Sequence, residues 1–491
     1  MGQTNEDVEA SKTEIPSEHQ YRDATLPTWR FWVLSVGLCL GLFLSMLDAS
    51  IVATSLYTIG AEFESLDLIN WVALAYTLTY LSCAVLIARV SDIVGRRNAF
   101  LASFVIFFAF SLGCGFSQNL EQLVACRALQ GLGGSGLYSI TMIIFPEVAP
   151  KHLLQYISSL VGMVIASAGV LGPVLGGILT HYASWRWIFW INGPIGFVSL
   201  LVFYSTWPDA RHLPTLQRRT WKELDFVGSI LLVAASVLVV FSFQNAGTDG
   251  NKWSQAIFVV PVTIGGICFI LLLGWETLVF KIWNSRIMAA IPIRLLRNRV
   301  YVATIFNTMF LGFPYLLVIY AFPIYLQVVH ALGFLTFIGF GFGLSATSST
   351  VLGATESEIS DHAPAQGIIA QVRILGGSLG IAASTAILGT FIRSDLAGIV
   401  SPEQLSSLHG AGMNLTEAQA TSVRQAYTDS FRKDMHVGTI LSGIAILFSL
   451  GVYRRNRITF EEQRQMHIDI EVERRRRVSA ATTLVSSNAT D

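Results

Sequence analysis

Charge is scarce in this chain. Asp, Glu, Lys and Arg make up 13% of its 491 residues, about half the roughly 25% of soluble domains. The deficit runs along the whole length, so lipid rather than water is the expected main solvent. Lys plus Arg and Asp plus Glu balance at 32 each. A net charge of zero argues against a nucleic-acid partner. Cysteine is rare as well. Cys39, Cys83, Cys114, Cys126 and Cys268 all fall inside apolar runs. They have no metal-ligand spacing and suggest no disulfide framework, so they read as small apolar filler. Residues 1–29 are polar and hold no apolar run of the kind a cleavable signal needs. The first membrane span is therefore expected to act as its own signal. Enzyme signatures are missing too: there is no H-E-x-x-H, no G-x-S-x-G and no acidic cluster within the apolar runs. Neither an enzyme nor a cofactor is expected.

What the chain has instead is apolar length. Hydrophobic residues reach 53%, and a membrane helix needs roughly 20 of them in near succession. Such runs lie near 31–56, 69–90, 99–117, 121–145, 154–179, 187–207, 225–244, 256–280, 300–328, 333–352, 366–391 and 436–453. The fold class expected is an all-α polytopic membrane protein with about twelve spans. Cations choose its orientation. Arg89, Arg96 and Arg97 flank the second connection, Lys151 lies in the fourth, and Arg211, Arg218, Arg219 and Lys222 crowd the sixth. Lys281, Arg286, Arg294, Arg297 and Arg299 crowd the eighth, and Arg454, Arg455, Arg457 and Arg474 to Arg477 follow the last span. The first connection is acidic, with Glu62, Glu64 and Asp67. The even connections and both termini are thus expected on the cytoplasmic side. The loop 393–434 falls on the other side and carries the sequon Asn414-Leu415-Thr416, a glycosylation acceptor.

Between Ala166 and Gly177 the chain reads A-S-A-G-V-L-G-P-V-L-G-G. A soluble helix would not tolerate this density, since each Gly costs about 1 kcal/mol and Pro about 3. A membrane helix can, because lipid offers the backbone no other partner and small residues let helices approach closely. A bent, tightly packed helix is expected, marked by Gly172, Pro173, Gly176 and Gly177. Residues 88–97 read A-R-V-S-D-I-V-G-R-R. Gly95 permits a tight turn between two spans, and Asp92 suits a helix N-terminus, where the macrodipole favours an anion. A plain positive-inside turn would give the same pattern.

The fourth span holds R-A-L-Q-G-L-G-G-S-G, from Arg127 to Gly136. An arginine at this depth is costly and usually functional, unless backbone carbonyls or an acid neutralise it structurally. Asp48, in L-D-A-S-I-V, ends the first span. Loss of water disfavours its bare charge, so it is a candidate for proton exchange or for orienting a helix end. Trp71 and Tyr76 on the second span, and Asn307, Tyr315, Tyr320 and Tyr325 on the ninth, are candidates to line a cavity. Glu276 and Arg373 sit near the expected cytoplasmic side, where snorkelling accounts for them.

Taken in order, these pieces resemble the major facilitator superfamily. The Gly172-Pro173 run resembles its antiporter signature G-x-x-x-G-P-x-x-G-G. Residues 88–97 resemble its loop motif G-x-L-A-D-R-x-G-R-K, matched at Asp92, Gly95, Arg96 and Arg97, with Ala88 for the first glycine and Ile93 for the usual basic residue. Arg127 and Gln130 fit its R-x-x-Q-G motif. The stretch around Asp48 resembles the L-D-x-T-I-V motif of the fourteen-span drug:proton antiporters, the branch typical of fungal multidrug and toxin efflux. The resemblance implies two helical bundles with two linker spans. Its layout here would be a tail at 1–29, six helices over 30–207, a loop and linkers over 208–281, four helices over 282–453 and a tail at 454–491. About 60 residues, enough for two spans, would be missing near Ala331-Leu332.

The resemblance implies proton-coupled export of drugs, toxins or secondary metabolites by a monomer in the plasma membrane. Asp48, Arg127 and Gln130 would serve coupling, Asp92, Gly95, Arg96 and Arg97 the cytoplasmic gate, and Gly172 with Pro173 the exporter's bend. The alternatives are an importer of a nutrient or iron chelate, or a sensor or scaffold that has lost transport with the missing helices.

Overall fold

The computed structural model describes residues 27–63, 69–149, 153–208, 220–248, 252–282, 287–329, 335–358, 361–396 and 416–453, with Ile399, Glu462, Met466 and Asp469. Lys151, Asn414, the Ala331-Leu332 junction and the Tyr325 side chain lie outside the described residues.

Apolar runs without competing turn residues give long helices: α1 (Thr28–Ile51), α2 (Asn70–Val94), α3 (Arg96–Gly115), α4 (Leu120–Val148), α5 (Leu154–Tyr182), α6 (Asn192–Thr206), α7 (Phe226–Thr248), α8 (Ala256–Ile282), α9 (Arg299–Val329), α10 (Leu335–Thr355), α11 (His362–Asp395) and α12 (Glu417–Leu450). Among the described residues eleven stretches are long and apolar enough to cross a membrane. α6 reaches that length together with the short helix Trp187–Trp190 before it, and α10 stands outside the eleven. The fold is all-α. Among the described residues, extended pairing is confined to one isolated bridge, Leu224 to Met288.

The last helix corrects the expected loop 393–434. α12 begins at Glu417, well before 436, because Thr416 and Gln419 form a capping box. Each side chain takes a backbone N–H of the other, which fixes a helix start. A hydropathy reading passes over this part because its first turns are polar.

α1 packs on α5 and α6, α4 on α2 and α3, and α9 on α11 and α12. Contacts of α5 with α10 and of α2 with α11 join the two groups. α7 packs on α8 and also reaches α2 and α11. α8 leaves Ile264, Ile267, Ile270 and Leu271 exposed, a face that matches hydrocarbon and not water.

The Gly/Pro run does its packing at α1. Gly172 lies against Ser50 and the Ile51 backbone, and Gly176 against Thr54 and Ile51. Ser50 Oγ donates to the Ala168 carbonyl at 3.1 Å. Pro173 is buried inside an unbroken α5. Nothing lies within 4 Å of the place a Gly177 Cβ would take, so Gly177 does not belong to this close approach.

Candidate functional site

Asp48 near the end of α1 and Arg127 in the first half of α4 are 0% and 1% exposed and form an ion pair. Buried pairs persist only when their remaining donors and acceptors are also satisfied. Here both Asp48 oxygens and two of the three Arg127 nitrogens find partners, in a network drawn from five helices. Arg127 Nη1 also donates to Gln130 Oε1 (2.8 Å), and Nε donates to the Val72 carbonyl (3.1 Å). Gln130 Nε2 donates back to Asp48 Oδ1 at 2.9 Å. Asn192 Nδ2 donates to the same oxygen at 3.3 Å and to Ser111 Oγ at 2.9 Å. Cys114 Sγ donates to Gln130 Oε1 at 3.5 Å, so this cysteine does more than fill space. The Arg127 guanidinium lies 4.3 Å from the Tyr76 ring centre and 5.6 Å from that of Phe189, close enough for cation–π attraction.

Asn192 is the member that sequence reasoning missed. It sits in W-R-W-I-F-W-I-N-G-P, residues 185–194, where tryptophans at the start of a span are ordinary interface anchors and draw the eye from the amide. A lone amide at the start of an apolar span was the available signal.

Tyr76 joins this network to a cavity. Its hydroxyl donates to the Ser45 carbonyl at 2.9 Å, and Ser45 Oγ donates to the Gly134 carbonyl at 2.9 Å. The ring also lines a small cavity, about 30 Å³, between α1, α2 and α4 on one side and α9 and α11 on the other. The space is water-sized in this conformation, and an organic molecule requires the two groups of helices to part around it. Tyr76, Tyr80, Tyr138 and Tyr315 give it an aromatic wall, and Arg373 is the charged residue of the lining. Near Asp48 the two groups also touch, as Tyr320 donates its hydroxyl to the Ala49 carbonyl at 3.3 Å.

Trp71 and Asn307 are not in this lining. Trp71 packs on Phe241 of α7, with ring centres 5.7 Å apart. Asn307 donates to the Ala445 carbonyl at 2.8 Å and ties α9 to α12. Arg373 and Glu276 do not snorkel. Arg373 is buried, turned from lipid toward the partner helices, and donates to the Tyr138 hydroxyl and to Ser349 Oγ, the latter at 2.7 Å. Glu276 is fully buried and accepts the Ile291 N–H at 2.8 Å.

The loop motif forms a second charged centre. Gly95, at φ 95° and ψ 145°, turns the chain from α2 into α3, a conformation side chains avoid. Asp92 lies in the last turn of α2 and not at a helix N-terminus. The macrodipole disfavours it there, and Arg96 at 2.7 Å and Arg89 at 3.7 Å compensate. Arg96 also pairs with Glu147 of α4 at 3.0 Å, a partner not singled out from the sequence. Arg97 lies over the Tyr204 ring at 4.8 Å. Arg89 reaches the Ala289 carbonyl ahead of α9. Ile93, in place of a basic residue, is buried with Leu224 and Met288, so an apolar contact has replaced a charge there.

Residues 38–452 match the Major Facilitator Superfamily. The chain is 27% identical to the MFS-type transporter FPY5 of Fusarium mangiferae, over 85% of this chain and 83% of that one. It is 32% identical to the efflux pump roqT of Penicillium rubens over 65% and 59%, and 30% identical to the MFS-type efflux pump MMF1 of Pseudozyma antarctica over 65% and 58%. It therefore spans less than two thirds of the length of those two pumps. With a family match over most of its length and, among the described residues, eleven stretches fit to cross a bilayer, the chain belongs to the Major Facilitator Superfamily and is a multi-pass membrane transporter.

Proposed function

We propose that this transporter exports small organic molecules in exchange for protons, by alternating access between α1–α6 and α9–α12. One observation carries the reading: the buried Asp48–Arg127 pair and the tyrosine cavity share a side chain, Tyr76. A proton on Asp48 removes the charge that holds Arg127. Arg127 then keeps only neutral partners, Gln130, the Val72 carbonyl and the rings, and Tyr76 shifts with it. Substrate in the cavity acts on the same ring from the other side. Two ligands that bias one element are coupled, and the coupling is reciprocal.

The aromatic wall suits amphipathic organic molecules such as drugs, toxins or secondary metabolites. That relatives are named efflux pumps supports the outward direction. Asp92, Arg96 and Glu147 act as the gate at the loop-motif end, and the α1–α5 contact through Gly172 and Gly176 with Pro173 favours one access state. The loop-motif end and both termini face the cytoplasm. The protein works as a monomer in the plasma membrane, with Asn414 on the outer side.

The test is transport by the full chain in inside-out vesicles, using a panel of fluorescent amphipathic dyes. Accumulation driven by an acidic lumen and abolished by a protonophore is expected. Movement in the opposite sense would indicate an importer. Dye binding without transport would indicate a sensor or scaffold.

A further inference from the structure

The α7–α8 hairpin, a linker in the expected layout, buries two carboxylates at its loop-motif end. Asp225 stands just before α7, Glu276 in the last third of α8, and they are 3% and 0% exposed. Both crowd Gly228: a Cβ there would meet Asp225 Oδ2 and Glu276 Oε1 together. Asp225 Oδ1 accepts the Gly228 N–H at 2.7 Å and the Trp275 indole at 2.9 Å. Glu276 Oε1 accepts the Ile291 N–H at 2.8 Å. The second oxygens, Asp225 Oδ2 and Glu276 Oε2, are buried and have no hydrogen-bond partner. Two buried acceptors without donors, on carboxylates packed against the same glycine, invite a shared proton.

The surroundings tie this pair to a joint. Residues 287–292 pass between the hairpin and α2. Met288 N–H donates to the Glu223 carbonyl at 2.6 Å, Ile291 N–H to Glu276, and the Ala289 carbonyl accepts from Arg89. Asp225 and Arg89 are the charged groups that act on Glu276. Asp92 lies beyond Arg89 at 3.7 Å. Arg294 and Arg297 stack over Phe280, one turn along α8, with Arg294 held by Glu358 at 3.3 Å. The Glu223 side chain is turned away and caps Thr220.

We propose that Asp225 and Glu276 form a shared one-proton site that anchors residues 287–292 beneath Arg89, a proton-controlled joint between α2 and the start of the last four helices. With one proton bound, the pair carries a single charge, Glu276 keeps the Ile291 N–H, and Arg89 stays on the Ala289 carbonyl and Asp92. Loss of the proton breaks one O–H bond, releases H⁺ to water and leaves two charges. These draw Arg89 off Ala289 and free the segment. The joint is separate from the Asp48–Arg127 pair. Its use in export rests on the proposed function, whereas its existence does not.

Hydrogen exchange of the full chain in lipid tests it, read on the peptide that carries Met288, whose N–H is held by the neutral Glu223 carbonyl. Wild type should lose protection at Met288 as pH rises, beyond the intrinsic pH trend of exchange. Glu276→Gln, which keeps the acceptor without the charge, should stay protected throughout, and so should Asp225→Asn. Infrared spectra should show a protonated-carboxyl band that survives Asp48→Asn and vanishes in the Asp225→Asn, Glu276→Gln double variant. Protection in wild type independent of pH would overturn the proposal. So would a band unchanged in the double variant, or protection at fixed pH that follows sodium. None of these readouts requires transport, so a failed vesicle assay leaves them intact.

Discussion

Arg127 donates to Asp48 across 79 residues of sequence, and neither side chain reaches solvent. Breaking a buried pair from one side leaves a charge with no counterpart, at a cost of about 3–5 kcal/mol. Asp48→Asn and Arg127→Gln should each destabilise the protein by roughly that amount. The double variant should lose less than the sum, since it strands no charge. Chemical denaturation of the four proteins in detergent closes this cycle. Additive losses would show that the two side chains act independently.

Glycine spacing on α5 makes a prediction with its own control. A methyl on Gly176 would press on Ile51 and Thr54, whereas one on Gly177 would meet open space. Gly176→Ala should cost about 1–3 kcal/mol by overpacking. Gly177→Ala should be neutral, or slightly stabilising through higher helix propensity. Thermal unfolding of both variants in the same detergent separates them.

The turn at Gly95 has φ 95°, and among the described glycines it is the one with positive φ. An alanine there adopts a strained backbone at a cost of about 1–3 kcal/mol. Gly95→Ala should lower the melting temperature and loosen the Asp92–Arg96–Glu147 contacts. Proteolysis at the α2–α3 turn reports the second effect.

At the other end of the bundle Glu62 accepts from the Trp185 indole and pairs with Arg186 at 2.7 Å. Partial burial pushes the Glu62 carboxyl up, but the Trp185 hydrogen bond and Arg186 together bring it below its ordinary value. A carboxylate with a lowered folded pKa adds stability above its unfolded pKa, about 4.3, and loses it as pH falls through the folded value. The gap in melting temperature between wild type and Glu62→Gln should therefore be constant near neutrality and close in acid. A gap that widens as pH falls would contradict this.

Much of the fold could be read from apolar run length, because lipid enforces helices on every long run. Asp48 and Arg127 stood out for the same reason: a charge inside such a run needs an explanation. What pairs with what was not legible. Glu147 and Asp225 lie near span ends, where an acid is ordinary, and only tertiary packing brings them to Arg96 and Glu276. Arg373 resembles an interfacial cation in the sequence because the apolar run around it begins only near 366. α11 in fact starts at His362, which sets Arg373 deep against α4. The start of α12 was hidden by polar first turns that carry a side-chain cap and no hydropathy signal.

In the proposed cycle Asp48 carries the exchanged proton. The most direct measurement compares wild type and Asp48→Asn in inside-out vesicles, in two modes: dye accumulation driven by an acidic lumen, and dye counterflow with no pH gradient. Asp48→Asn should lose the first and keep the second, since alternating access survives when only the proton site is neutralised. Proton-driven accumulation at the wild-type rate in Asp48→Asn would contradict it.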